Sequence, residues 1–181
     1  MNLPTGVEDH VPRNPLFNWL SQRSDGILLH PTTLPSAYGV GAFDEAATGF
    51  LEFLSEAGIQ HWQLCPLGPT GYGDSPYQCF SSFAGNPYLI DPAALVRAGL
   101  LTTESLNPLR ALNAEKVDFG ALYQIKRPLL FAAHAAWRRN TQAVLPYGDF
   151  TVFQAKHSAW LKAYGLFSAL KDHFSGQPWW E

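Results

Sequence analysis

The sequence predicts an α/β fold built on a parallel sheet, followed by a mainly helical half. Two strand-like apolar runs, at Gly26–His30 and Ile59–Leu67, flank a stretch whose apolar residues recur every three or four positions between helix caps. Beyond Asp91 the apolar spacing stays helical to the last residues.

Taken in order, residues 1–22 form an irregular, Pro-containing leader whose cluster Leu16-Phe17-Asn18-Trp19-Leu20 is expected to dock on the main body. Gly26-Ile27-Leu28-Leu29-His30 is an apolar run stopped by Pro31, the pattern of a strand buried on both faces of a parallel sheet. Asp44 is an N-cap; Phe43, Ala47, Phe50, Leu51, Leu54 and Ala57 line one helix face, and Gly58 takes the C′ position. With Ile59–Leu67 as a second strand, the segment from Gly26 to Pro66 is one strand-helix-strand crossover, the connection that parallel pairing requires. Asn86–Ile90 is expected to be a further short strand. Asp91-Pro92 then opens a helix ending near Gly99, with a capping carboxylate and proline at its first position. Ala121–Asn140 predicts a long helix that Pro128 bends or splits. Thr151–Ala163 and Gly165–Phe174 predict two more. Trp179-Trp180-Glu181 leaves two bulky aromatics at the last positions, the pattern of a truncated chain.

Composition narrows the function classes. Lys+Arg number 12 against Asp+Glu 15, a formal net charge of -3, which argues against nucleic acid as a partner because phosphate neutralisation needs clustered basic residues. Charged residues are 15% of the chain, against about 25% in an average soluble protein, so the surface is unusually neutral. No apolar run approaches the roughly 20 residues of a membrane span. Met1 to Asp9 lacks a basic stretch followed by an apolar one, which leaves the cytoplasm as the expected compartment. Cys65 and Cys79 lack the paired spacing of structural zinc and are expected to be reduced packing residues. The six histidines show no metal-type pairing, and His30 alone falls at a strand tip.

In parallel α/β folds function collects in the loops at the carboxyl ends of the strands. Here those loops are His30–Ser36 and Leu67–Gln78, the second followed by Phe80, Phe83 and Asn86. Gly68 and Gly73 have the spacing of the two glycines of a P-loop, but Asp74 stands where that loop needs lysine, and a negative charge there repels phosphate. The loop instead offers Tyr72 and Tyr77, the carboxylate of Asp74, the hydroxyl of Ser75 and the close-approach backbone of Gly73. These groups suit a neutral polyol, with aromatic faces covering C–H surfaces and polar groups bonding hydroxyls. The alternative is that both tyrosines are packing residues and that Asp74-Ser75-Pro76 is a turn held by an Asx hydrogen bond.

At these loops the chain resembles the 4-α-glucanotransferases of glycoside hydrolase family 77, the amylomaltases or disproportionating enzymes. The run Gly26–Ser36 with Tyr38-Gly39-Val40-Gly41 resembles the family's opening motif. Pro66–Gln78 with Phe83-Ala84-Gly85-Asn86-Pro87 resembles its longest signature. Weaker similarity extends through Trp160-Leu161-Lys162, Phe167–Lys171 and Pro178–Glu181, while Pro128 and Gly165 inside helical stretches depart from the pattern.

The resemblance implies the first part of a (β/α)8 TIM barrel with a mainly helical inserted subdomain. Residues 23–92 would supply the first βαβ units with an active-site loop at 66–87, and residues 93–181 the truncated helical insertion. It also implies transfer of α-1,4-glucan segments between maltooligosaccharides through a covalent glycosyl-enzyme intermediate, with no metal or organic cofactor. Retaining transfer needs two carboxyls about 5 Å apart. The resemblance places the nucleophile and the acid/base beyond residue 181. Carried over by position, Tyr77 is the aromatic platform beside the reacting sugar, Ser75 and Asp74 shape the adjoining subsites with Gly73, His30 and Asn86 in the same wall, and Tyr72 belongs to an accessory glucan groove. A barrel of this class needs about 200 to 250 residues at least, so 181 residues alone are expected to leave strand edges open and to self-associate. The competing possibility is a non-catalytic glucan-binding module, or a degenerate fragment that has lost the carboxylates.

Overall fold

Strand β1 (Gly26–Leu28) pairs in parallel with strand β2 (His61–Gln63), Ile27 lying opposite Trp62, and helix α1 (Glu45–Glu56) makes the crossover between them. The computed structural model describes residues 23–71, 73–139, 148–178 and 180; the leader, Tyr72 and Asn140 lie outside the described residues. Asp44 caps α1 by accepting from the Ala46 and Ala47 amides, and Gly58 at φ +72° ends it. The Trp62 indole donates to the Leu29 carbonyl at 2.8 Å and meets Phe50 edge-on at 5.0 Å, which ties α1 to one side of the strand pair.

The expectation of a strand buried on both faces is not met: Leu28 is 58% exposed. Burying both faces requires layers on both sides of the strand pair, and among the described residues α1 packs against it through Phe50 and Trp62. Leu51 and Phe53 on α1 are exposed as well. We expect the isolated 181-residue chain to self-associate through this apolar surface, giving concentration-dependent sedimentation; one sharp monomer boundary with cooperative unfolding would contradict it.

The hydrophobic core lies away from the strands. Val40, from the loop after β1, packs with Leu106, Leu109 and Leu122, while Leu95, Leu100 and Ala133 form an adjoining cluster. These residues come from helices α2 (Pro92–Arg97), α3 (Asn107–Arg110) and α4 (Phe119–Arg139) and the turns between them. The helical half thus holds the first strand-tip loop through Val40. Asp91 caps α2, with Pro92 at its first position, and Gly99 at φ +70° follows its end.

Three expectations need correcting. Asn86–Ile90 is a 3-10 turn over Pro87–Leu89 in place of a strand, because the Asn86 carboxamide accepts from the Tyr88 amide and proline fixes the following φ. Helix α4 continues through Pro128, so of the two expected effects the proline does not split it. The missing N–H removes one helical bond, and Leu122 and Ala133, buried on either side, hold the helix together. The last two helices, α5 (Phe150–Lys156) and α6 (Ser158–His173), divide at His157, and Gly165 sits inside α6. An interior glycine costs a helix only about 1 kcal/mol, too little to end one that is otherwise well formed. Among the described residues no helix is long and apolar enough to cross a membrane.

Candidate functional site

The first loop is built by His30. It caps the turn Pro31–Thr33, its Nδ1 lying 2.7 Å from Thr32 Oγ1 and accepting from the Thr32 amide at 3.4 Å, while Thr33 Oγ1 donates to the His30 carbonyl at 2.7 Å. With Nδ1 accepting, the neutral tautomer these contacts imply carries its proton on Nε2. Nε2 is buried and, among the described residues, lacks a hydrogen-bond partner of normal geometry. Burial lowers the His30 pKa, and the nearby Pro66 carbonyl, in a looser contact than a formed bond, opposes that shift. His30 therefore joins the first loop to the start of the second instead of facing open solvent. The loop closes when the Gly41 amide donates to the Thr32 carbonyl at 3.1 Å.

The second loop is a narrow hairpin. Its base closes where the Asn86 amide donates to the Leu67 carbonyl at 2.8 Å, and Thr70 and Cys79 form an antiparallel bridge above it. Glycine is required at 68, since a Cβ there would lie 2.7 Å from the Ser81 carbonyl oxygen and 2.9 Å from Cys79 Sγ. At the tip the Asp74 amide donates to Gly71 and the Gln78 amide to Ser75, two successive tight turns. Gly73 at φ +86° and Asp74 at φ +53° adopt the left-handed backbone these turns need.

The predicted residues fall into three places. Gly73, Asp74, Ser75 and Tyr77 share the hairpin tip. The turn is real, but the expected Asx bond is replaced: Asp74 Oδ1 accepts from the Thr70 hydroxyl at 3.4 Å, and Ser75 Oγ accepts from the Tyr77 amide at 3.3 Å. Tyr77 is 75% exposed, which removes it from the core and leaves its ring open. Its hydroxyl reaches Cys65 Sγ at 3.7 Å, and that hydrogen bond and the thiol's charge raise the phenol pKa. Asn86 is only 6% exposed, with its side chain committed to the turn that follows. His30 lies at the loop base. Tyr72 is outside the described residues. Both cysteines are free thiols, Cys79 donating to the Pro76 carbonyl at 2.9 Å. Among the described residues no group of three His, Cys, Asp or Glu could hold a metal ion.

Several contributors went unseen in the sequence. Burial pushes Tyr88 up to about 12, the Asp74 carboxylate and Tyr123 add to the rise, and Arg127 opposes it, so the charged tip and the α4 surface share one field. Arg127 donates to the Tyr123 hydroxyl at 2.6 Å. Beyond the tip, Phe83 stacks on Trp160 at 5.9 Å and Phe80 meets Phe167 at 5.8 Å, which docks α6 against the loop's return. Trp160 and Phe167 lie seven apart on a helix, a spacing that reads equally as core and carries no sign that they meet Phe83 and Phe80. A cavity of about 170 Å³ opens beside the first loop, lined by Thr32, Ser36, Gly41, Glu115 and Val117; Tyr77 is not part of it. The wall that carries Tyr77 is an open surface.

The family described as 4-alpha-glucanotransferase matches residues 29–181. A 4-alpha-glucanotransferase of Thermus thermophilus is 46% identical over 157 residues, covering 87% of this chain and 30% of the relative. One from Streptococcus pneumoniae is 39% identical over 163 residues, covering 90% and 32%. Among solved structures, an amylomaltase from Streptococcus agalactiae in complex with acarbose matches with a TM-score of 0.77 at 34% identity, over 86% of this chain and 31% of that one. The chain spans about 30% of the length of these relatives.

Proposed function

Because the chain belongs to the 4-alpha-glucanotransferase family, we propose that it is the N-terminal part of an enzyme that moves α-1,4-glucan segments between maltooligosaccharides with retention of configuration. Residues 23–92 begin the (β/α)8 barrel and carry the active-site loop 66–87, and residues 93–181 are the helical insertion. Tyr77 is the platform for a sugar ring. Asp74 and Ser75 shape the neighbouring subsites, Gly73 lets backbone approach the ligand, and His30 and Asn86 hold the two loops in register. Tyr72 belongs to an accessory glucan groove.

The observation that carries this reading is the 75% exposure of Tyr77 on a strand-tip hairpin whose other groups are uncharged apart from Asp74. An exposed aromatic face flanked by hydroxyl, amide and carboxylate groups matches a neutral oligosaccharide, and the acarbose complex of the Streptococcus agalactiae amylomaltase supports that ligand class. The family resemblance implies a nucleophile and an acid/base in polypeptide beyond residue 181, and the single carboxylate at the hairpin tip cannot supply the pair that retaining transfer needs, so the 181-residue chain alone is expected to be inactive. No cofactor takes part. The setting is the cytoplasm, which fractionation checks.

The test is incubation of the full-length protein with maltotriose. Transfer releases glucose and builds longer maltooligosaccharides in step, while the 181-residue chain produces neither. Glucose without longer products would replace transfer by hydrolysis, and binding without turnover would establish the non-catalytic glucan-binding module.

A further inference from the structure

Lys126 lies on the buried stripe of α4, one turn beyond Leu122, where an apolar residue would continue the pattern. It is 1% exposed, and its ammonium donates to the Tyr88 carbonyl at 2.7 Å. Burying an ammonium costs several kcal/mol unless neighbouring groups offset it. The Asp91 and Asp44 carboxylates favour the charged form here, although burial still lowers the Lys126 pKa to about 8. The carbonyl it holds sits in a junction. Asn86, two residues earlier, donates to Leu67 at the base of the second loop and caps the Tyr88 amide. Leu89, one residue later, accepts from the Phe43 amide at 3.1 Å, where the first loop passes into α1.

We infer that Lys126 is a positioning residue whose bond to Tyr88 locks the Asn86–Leu89 turn and, through Leu67 and Phe43, sets both strand-tip loops for sugar binding. This rests on the transfer reading for its effect on turnover, but not for its effect on the loops. Lys126 touches no sugar; it fixes the piece of backbone on which both walls are hung.

The experiment compares Lys126→Met with wild type in the full-length protein, since methionine fills the apolar stem's place and removes the donor. The expected result is a rise of about tenfold in KM for maltotriose with kcat within about twofold. Hydrogen exchange speeds up in peptides containing Phe43 and Asn86 while α4 stays protected. Lys126→Gln, which keeps a shorter donor, falls between the two. Unchanged exchange at Phe43 and Asn86, or a loss confined to kcat, would overturn the inference, as would faster exchange throughout α4. If Lys126→Met does not fold, the same exchange comparison on Lys126→Gln decides. If wild type itself fails to turn over maltotriose, the transfer reading falls and exchange alone judges Lys126.

Discussion

Tyr77→Ala in the full-length protein lowers kcat/KM for maltotriose by about 100-fold while leaving the thermal midpoint within a degree or two of wild type. The separation follows from where the ring sits. At 75% exposure Tyr77 belongs to neither hydrophobic cluster, and among the described residues its hydroxyl makes only the 3.7 Å approach to Cys65 Sγ, so truncation leaves no cavity. Whatever the ring stabilises is outside the fold. A sugar face stacked on it loses dispersion contact and desolvation when the ring is removed, in the ground state and in the distorted transition state alike. Tyr77→Phe keeps the stacking face and costs less than about threefold. If Tyr72 serves the accessory glucan groove proposed above, Tyr72→Ala changes the lengths of products from long glucans with a milder loss on maltotriose. Steady-state kinetics on maltotriose alongside chromatography of products from amylose check all three. Equal losses for Tyr72→Ala and Tyr77→Ala on maltotriose would contradict the division of roles, and an unaffected Tyr77→Ala would remove the platform altogether.

What could be read from the sequence was chiefly what short-range chemistry decides. Asp44 and Asp91 cap helices as expected, and Gly58 and Gly99 take the positive φ that ends them. The strand-helix-strand unit follows from those caps and two apolar runs. Asn86–Ile90 misled because Tyr-Leu-Ile has strand character, while the decisive local bond belongs to the preceding asparagine. The position of the α5–α6 joint was equally hidden. Gly165 is interior to α6 and marks no end, and the joint falls at His157, whose ring lies 4.6 Å from Phe153 and accepts from the Trp160 indole at 3.3 Å. At the candidate site, the place of Tyr77 after a strand tip reads as packing or as ligand contact alike, and its 75% exposure excludes only the packing reading. Lys126 was not legible, although a lysine one turn along a buried stripe is a mismatch of period and polarity. Its partner is a backbone carbonyl 38 positions away, and spacing along one helix carries no information about that. Asn86 acts through both its parts: its amide closes the loop base and its carboxamide caps the following turn.

Gly41→Ala and Gly49→Ala have opposite expected signs, and the first is the largest stability loss the structure foretells. A Cβ on Gly41 would lie 2.1 Å from the Pro31 carbonyl oxygen and 2.8 Å from that of Leu34. Both are backbone atoms, so no side-chain rotation relieves the clash. The loop must open, breaking the Gly41–Thr32 bond and shifting Val40 and Ala42, which are 2% and 1% exposed. Forced backbone movement in such a packed place costs about 3 kcal/mol or more. Gly49 lies inside α1, and beyond its chain neighbours and the helix's own backbone an added Cβ would meet nothing within 4 Å. Alanine there lowers the chain entropy lost on folding and gains roughly 0.5–1 kcal/mol. Urea unfolding of the full-length protein should therefore show a lowered midpoint for Gly41→Ala and a raised one for Gly49→Ala, at the same slope. The first substitution also displaces the loop that His30 caps, so its loss of maltotriose transfer exceeds what the unfolded fraction explains. A Gly41→Ala protein as stable as wild type would mean that the close packing of Pro31 and Leu34 around residue 41 is not the arrangement the chain adopts.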